Sequence, residues 1–352
     1  MKIFPQRGFL FFVPFSRFMI SIKEIAAKLG VSIATVSSVL NGKEKERRIN
    51  AALADKIKRF AFEEGYHPNQ VAVSLRTGKS RIIGLIVDNI SGAFFASLAN
   101  TIEKELEKYG YTVLYCSTGN NKSKVETLIR ILYQHNVDGY LVIPAEGMEQ
   151  ELSVLTSRKR PVVLMDSYFP GTKLPYVLVN NYEGTAAGIK HLVKAGYKKV
   201  AFVCNDIPLV QMAERRRGFV ETMMAAKMQV SDDSILATPY LAEKEQVVRS
   251  VMTYLKKKKP DAVMFAANYL GVWGLEGIKK LGWTIPGDIG VVCFDDHELF
   301  QINTPEITAV KQPVEDIAQL AVKILMGEMG IEKKVPEQQV EIMGKLIRRK
   351  SV

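Results

Sequence analysis

From Ile82 onward the chain is a series of unbroken apolar runs, such as Ile82–Val87 and Val162–Met165, separated by stretches with helical spacing. A run without polar alternation is buried on both faces, and helices between such runs cover those faces, so the pattern predicts parallel sheets in an α/β body. About ten such runs exceed one comfortable sheet, and two similar lobes accommodate them. Ligands in such folds sit at the carboxyl ends of the strands.

The stretch before this body reads differently. Ser21 to Gly42 spells two short helices joined by a tight turn. Ser21 and Glu24 have the spacing of a capping box, in which hydroxyl and carboxylate each satisfy a free first-turn N–H. Ile22, Ile25, Ala26 and Leu29 recur at helical spacing, and Gly30 is suited to the left-handed stop. Ser32 caps a second helix, in which Ile33, Val36, Val39 and Leu40 are expected to face the core. Ala34, Thr35, Ser37 and Ser38 are left on the open face, and Asn41-Gly42 ends the helix. A third helix is expected over Ala51–Gly65, with Leu53, Ile57, Phe60 and Ala61 inward.

A helix-turn-helix places the N-terminal part of its second helix on base edges in the major groove. Small side chains there allow close approach. Charge agrees with that reading. Residues 1–79 hold 14 Lys/Arg against 6 Asp/Glu, so +8 of the net +11 lies in the first 79 of 352 residues. A basic head on a nearly neutral body predicts a polyanionic partner for the head. Ser32 and Ile33, together with Ala34, Thr35, Ser37, Ser38 and Asn41, are candidate DNA contacts. Arg47 and Arg48, in the charged loop that follows, are candidates for phosphates.

Other classes are disfavoured. Cys116, Cys204 and Cys293 each close an apolar run without metal-ligand spacing, which predicts buried thiols, no metal site and a cytoplasmic protein. No nucleophile motif or phosphate-binding glycine loop stands out, so no catalytic residue and no cofactor are expected. Gly8–Phe15, after Lys2 and Arg7, is too short to span a bilayer and lacks a cleavage site. Residues 1–18 are therefore expected to be a non-native or disordered extension, with Met19 as the start and no membrane partner.

Taken together, Thr35-Val36-Ser37, Val39-Leu40-Asn41-Gly42, Pro68-Asn69, Ser74-Leu75-Arg76-Thr77-Gly78, Gly218-Phe219, Phe294-Asp295-Asp296 and the closing Leu346–Ser351 resemble signatures of the LacI/GalR family of bacterial transcription regulators, in family order over residues 20–350. The resemblance implies an all-α helix-turn-helix head (19–67), a hinge helix (68–80), and an α/β two-lobe periplasmic-binding-protein-like domain (81–352). That domain would have two parallel sheets, three crossovers and a second lobe at about 181–307. It further implies a cytoplasmic homodimer, a pseudo-palindromic double-stranded operator, and repression controlled by a small carbohydrate, either a sugar or a sugar phosphate. Asn69, Ala72, Leu75 and Arg76 match hinge positions that contact DNA, with Leu75 as a minor-groove wedge. Phe94, Phe95, Asp166, Arg215, Tyr240, Asn268 and Asp295 match effector positions.

Two positions depart from the family pattern. Ser38 replaces an arginine, and serine cannot read guanine bidentately. Tyr269 follows Asn268 where the family has Asp. The alternatives are a sugar-binding protein without a DNA role, or an enzyme on the same scaffold that uses Asp295 and Asp296 as an acid/base pair.

Overall fold

The computed structural model describes residues 20–66, 73–74, 77–334 and 337–352. The expected extension over residues 1–18, and Asn69, Ala72, Leu75 and Arg76 of the expected hinge, lie outside them. The chain divides into two compact units, the first ending at Gly78 and the second beginning at Lys79.

The first unit contains α1 (Ile22–Leu29), α2 (Ile33–Leu40) and α3 (Ala51–Glu63). Both halves of the capping box form: Glu24 N–H donates to Ser21 Oγ at 3.2 Å, and Ser21 N–H donates to Glu24 Oε2 at 2.7 Å. Gly30 ends α1 at φ 66°. Ser32 Oγ caps α2 by accepting the Thr35 N–H, and Asn50 Oδ1 caps α3 by accepting the Ala52 N–H. Ile25, Ala26, Val36, Val39, Ala54, Ile57 and Ala61 form the buried centre.

One expectation fails here. Ile33 is not a core residue but is 52% exposed. The core-facing line of α2 runs between Val36 and Val39, and at 3.6 residues per turn Ile33 lies roughly a quarter turn away from it.

The second unit holds two six-stranded sheets. The first lobe consists of β1 (Ile82–Val87), α4 (Ala93–Glu107), β2 (Thr112–Ser117), α5 (Lys122–Gln134), β3 (Gly139–Val142), α6 (Glu149–Ser157), β4 (Val162–Met165) and β5 (Tyr176–Val179). The chain then crosses into the second lobe. This comprises α7 (Asn181–Lys194), β6 (Val200–Asp206), α8 (Val210–Ala225), β7 (Ile235–Pro239), α9 (Lys244–Lys258), β8 (Ala262–Phe265), α10 (Asn268–Lys280), β9 (Gly290–Phe294), α11 (Glu298–Ile302) and β10 (Thr308–Lys311). The chain returns as α12 (Val314–Glu328), which packs on α4 and on β3 to β5. β11 (Gln339–Ile342) pairs with β5, and after a third crossing β12 (Lys345–Ile347) pairs with β10.

The strand orders are β11-β5-β4-β3-β1-β2 and β12-β10-β9-β8-β6-β7. All pairings in the first sheet are parallel. The second differs from the expected parallel sheet, because β12 runs antiparallel to β10. The expected second-lobe span of about 181–307 also misses two strands, 308–311 and 345–347. These strands are short and lie beside exposed positions, so neither reads as a long apolar run.

Candidate functional site

Both sheets end their strands toward one cavity of about 500 Å³ in the second unit. All seven residues matched to effector positions line it: Phe94, Phe95, Asp166, Arg215, Tyr240, Asn268 and Asp295. The reason they converge is topological. Phe94 and Phe95 start α4 just after β1, Asp166 follows β4, Asn268 starts α10 after β8, and Asp295 follows β9.

Arg215 is the centre of the polar part. Its Nε donates to Asn181 Oδ1 at 2.8 Å. Its Nη1 donates to the Ala266 carbonyl at 2.6 Å and lies 3.5 Å from Asp295 Oδ2. The guanidinium also lies over the Phe294 ring, 3.8 Å from its centroid. Two glycines make this placement possible. A Cβ on Gly218, one helical turn after Arg215, would come within 2.6 Å of the Tyr182 carbonyl oxygen, so only glycine lets α8 lie this close to α7. A Cβ on Gly184 would approach the Phe294 ring at 2.9 Å.

Asp166 and Asp295 both adopt left-handed backbone, at φ 63° and 65°. Their surroundings differ. Asp295 receives Gln312 Nε2 on Oδ1 and Arg215 on Oδ2. Asp166 receives one long hydrogen bond, from Gln211 Nε2 at 3.4 Å. Burial raises its pKa to about 6; the Arg215 charge opposes this, and the charges of Asp295 and Asp88 add to it. Asp88, at the end of β1, is also raised to about 6 by burial, against a backbone hydrogen bond from Asn120. Its Oδ1 is buried without a partner, as are Gln211 Oε1 and Gln312 Oε1. Three acceptors in the cavity wall thus await a donor.

Sequence reasoning missed Asp88, Gln211 and Gln312. A signal for Asp88 was present, because it follows a buried apolar strand just as Asp166 and Asp295 do. Tyr269, the departure noted above, lines the cavity. Its hydroxyl donates to Asn205 Oδ1, and its ring meets Trp273 edge-on at 5.0 Å. Burial pushes the phenol pKa far up, so it stays a neutral donor. Asn268 accepts the N–H of Tyr269 at 2.7 Å. Asp296 does not join Asp295 in the cavity wall. It forms a two-pronged pair with Arg349, at 2.8 and 2.7 Å, which gives it a structural partner rather than a partner in proton transfer.

In the head, Ser32, Ile33, Ala34, Asn41, Arg47 and Arg48 are exposed, while Thr35, Ser37 and Ser38 are half-buried. Ser32 Oγ is engaged by Thr35, whose N–H donates to it at 3.0 Å and whose hydroxyl lies 2.8 Å away. Asn41 Nδ2 donates to the Ser37 carbonyl at 2.6 Å. The exposed face of α2 and the two arginines are therefore open to a partner, with Ser32 spent on capping.

A helix-turn-helix unit on the same chain as a two-lobed body with a polar, aromatic-walled cleft is the plan of a transcription regulator with a DNA-binding domain and an effector domain. Residues 21–69 match the model for bacterial regulatory proteins of the lacI family, and residues 189–352 match a periplasmic binding protein-like domain. The chain thus combines a LacI-family helix-turn-helix domain with a periplasmic-binding-protein-like domain.

Among similar curated proteins is the HTH-type transcriptional repressor PurR of Vibrio parahaemolyticus. It is 29% identical over 330 residues, covering 92% of this chain and 97% of that protein. The HTH-type transcriptional regulator KdgR of Bacillus subtilis is 29% identical over 339 residues, covering 94% and 97%. Among solved structures, the lac repressor dimer bound to operator and the anti-inducer ONPF has a TM-score of 0.81 at 21% identity, covering 95% of this chain and 99% of that one. The complex of the regulator CelR with cellobiose has a TM-score of 0.71 at 23% identity, covering 95% and 100%. The two structures share the fold. No helix among the described residues is long and apolar enough to cross a membrane.

Proposed function

We propose that this chain is a cytoplasmic, homodimeric repressor whose affinity for a pseudo-palindromic operator is set by a neutral carbohydrate bound in the cleft. The exposed face of α2 would read bases, Arg47 and Arg48 would grip phosphates, and the segment holding Asn69, Ala72, Leu75 and Arg76 would form the hinge on DNA. Ligand control follows if closure of the lobes on the ligand differs between DNA-competent and DNA-released forms.

The observation that carries the ligand reading is the charge of the wall. Among the described residues that line the cavity there are three aspartates, one arginine and no lysine. The arginine is already engaged by Asn181, Ala266 and Asp295. A phosphate entering this site would meet more negative than positive charge. Hydroxyl groups suit it, because carboxylates and the free amide oxygens of Gln211 and Gln312 are acceptors. Phe94, Phe95 and Trp273 line the cavity and supply aromatic surface for the apolar side of a sugar. Of the two ligands the resemblance implies, the unphosphorylated sugar therefore fits better.

The test is a thermal-shift screen of the full chain with matched sugars and sugar phosphates, since a ligand of the native state raises its melting temperature. Neutral sugars should raise it and their phosphates should not. A phosphate that stabilises more than its parent sugar would overturn the reading.

A further inference from the structure

The strand-starting edge of the second sheet lies at the far end of that lobe from the cleft. The parallel strands β6, β8, β9 and β10 begin there, and β12, antiparallel to β10, ends there. Four segments reach this edge: 194–199 before β6, 256–261 before β8, 279–289 before β9 and 348–350 after β12. Together they hold 12 Lys/Arg against 2 Asp.

Some of these cations are already used. Arg349 is paired with Asp296, Lys258 with Asp233 and Lys280 with Glu276. Lys198, Lys256, Lys257, Lys259, Lys279 and Lys350 are exposed and have no ion-pair partner among the described residues. Of the two aspartates, Asp261 accepts the backbone N–H groups of Lys198 and Lys199, and Asp288 accepts from Thr284. A neighbouring histidine feels the excess: burial, then the charges of Arg348 and Lys194, lower the pKa of His191. Helix ends attract cations, and α7, α9 and α10 all end here. Each C-terminus carries only about half a negative charge, so three of them offset about one and a half charges.

The centre of a protein–protein contact is depleted of lysine and anchored by large apolar or aromatic side chains. None of the exposed large apolar side chains lies in the four segments. A phosphate backbone needs no such anchor, because lysine alone neutralises it. In the sheet order β12-β10-β9-β8-β6 the edge crosses four strand steps. At about 4.8 Å each these span roughly 19 Å, along which duplex DNA presents about eleven charges.

We infer that this edge of the second lobe is a second, sequence-independent DNA surface, on which exposed lysines hold the phosphate backbone of a duplex. It lies on a different unit of the chain from the helix-turn-helix. It reads no bases, because contacts to phosphate carry no sequence information directly.

The test is fluorescence anisotropy of the full chain on a labelled random-sequence duplex of about 30 base pairs, between about 50 and 200 mM salt. One variant carries Lys198→Gln, Lys256→Gln and Lys257→Gln. A control carries Lys124→Gln, Lys173→Gln and Lys333→Gln, the same charge change at exposed positions of the first lobe. The slope of log K on log salt changes by about 0.9 per phosphate contact, so the edge variant should lose about 2 to 3 from the slope and bind at least about tenfold more weakly at low salt. The control should match the parent, and arginine at the three edge positions should restore binding. No loss in the edge variant, or an equal loss in the control, would overturn the inference. Polyglutamate that binds the parent more tightly than the duplex does, and loses that binding in the edge variant, would give the edge to an acidic protein instead. Loss confined to an Arg47→Gln, Arg48→Gln variant would overturn the edge and leave the proposed function standing.

Discussion

Asp166 and Asp295 occupy like positions in the two lobes and have different polar surroundings. Each follows a buried central strand, each has left-handed backbone, and each faces the same cavity. Asp295 has two partners, a short hydrogen bond from Gln312 Nε2 and the Arg215 guanidinium at 3.5 Å. Asp166 has one long contact, and burial raises its pKa to about 6. The second lobe therefore presents a preassembled polar seat. The first lobe brings a carboxylate whose ionisation is costly until a donor arrives. Burying a charge without partners is expensive, so a ligand hydroxyl at Asp166 gains more than a hydrogen bond in water would.

The largest effect should come from removing the clamp. Arg215→Ala should weaken ligand binding by about a hundredfold or more, because losing one partner of a buried charged contact costs about 2–5 kcal/mol. Calorimetric titration measures it, and unchanged affinity would place the sensing site elsewhere. Next in size is Gly218→Ala. The added methyl meets a backbone carbonyl that has no side-chain freedom, so α8 must shift away from α7. Overpacking of this kind costs about 1–3 kcal/mol. Denaturant unfolding should show the loss in the body, and titration should show weaker ligand binding because Arg215 rides on α8.

Smaller effects separate the two carboxylates. Ionised Asp166 accepts from a ligand hydroxyl more strongly than its protonated form does, and its pKa is near 6, so affinity should rise from pH 5 to pH 7 by up to about tenfold. In Asp166→Asn this rise should be reduced, with Asp88 carrying what remains. A flat pH profile in the parent protein would contradict the electrostatic contrast between the lobes. The stability of the unliganded body should move the opposite way. Between the ordinary carboxyl pKa of 3.8 and about 6, folded Asp88 and Asp166 hold protons that the unfolded chain has released. The stability they contribute is present at the low end of that window and lost as pH rises through about 6. Thermal unfolding without ligand at pH 5 and pH 7 checks the sign.

The same contrast separates what could be read from sequence from what could not. β1, β4, β6, β8 and β9 were legible because a central parallel strand is apolar on both faces. β7, β10, β11 and β12 were not. β7 and β11 show exposed positions along their length, and β12 is three residues long. Losing β10 as a strand also hid Gln312, which follows it and clamps Asp295. Seven cleft residues were found through family resemblance, whereas Asp88 could have been found by the recurring apolar strand followed by Asp. In the head, the helical period identified most of the core but missed Ala54 and placed Ile33 inward, where a first-turn position drifts off the buried line.

In the proposed function, ligand held by Arg215 controls the grip on DNA. The most direct test measures operator affinity by fluorescence anisotropy, with and without a sugar identified by the thermal-shift screen, in the parent protein and in Arg215→Ala. The sugar should shift operator affinity in the parent by about 5- to 150-fold, a typical coupling of about 1–3 kcal/mol. The variant should bind operator as the unliganded parent does and show no shift at the same sugar concentration. An equal shift in both proteins would show that control of DNA binding does not run through Arg215.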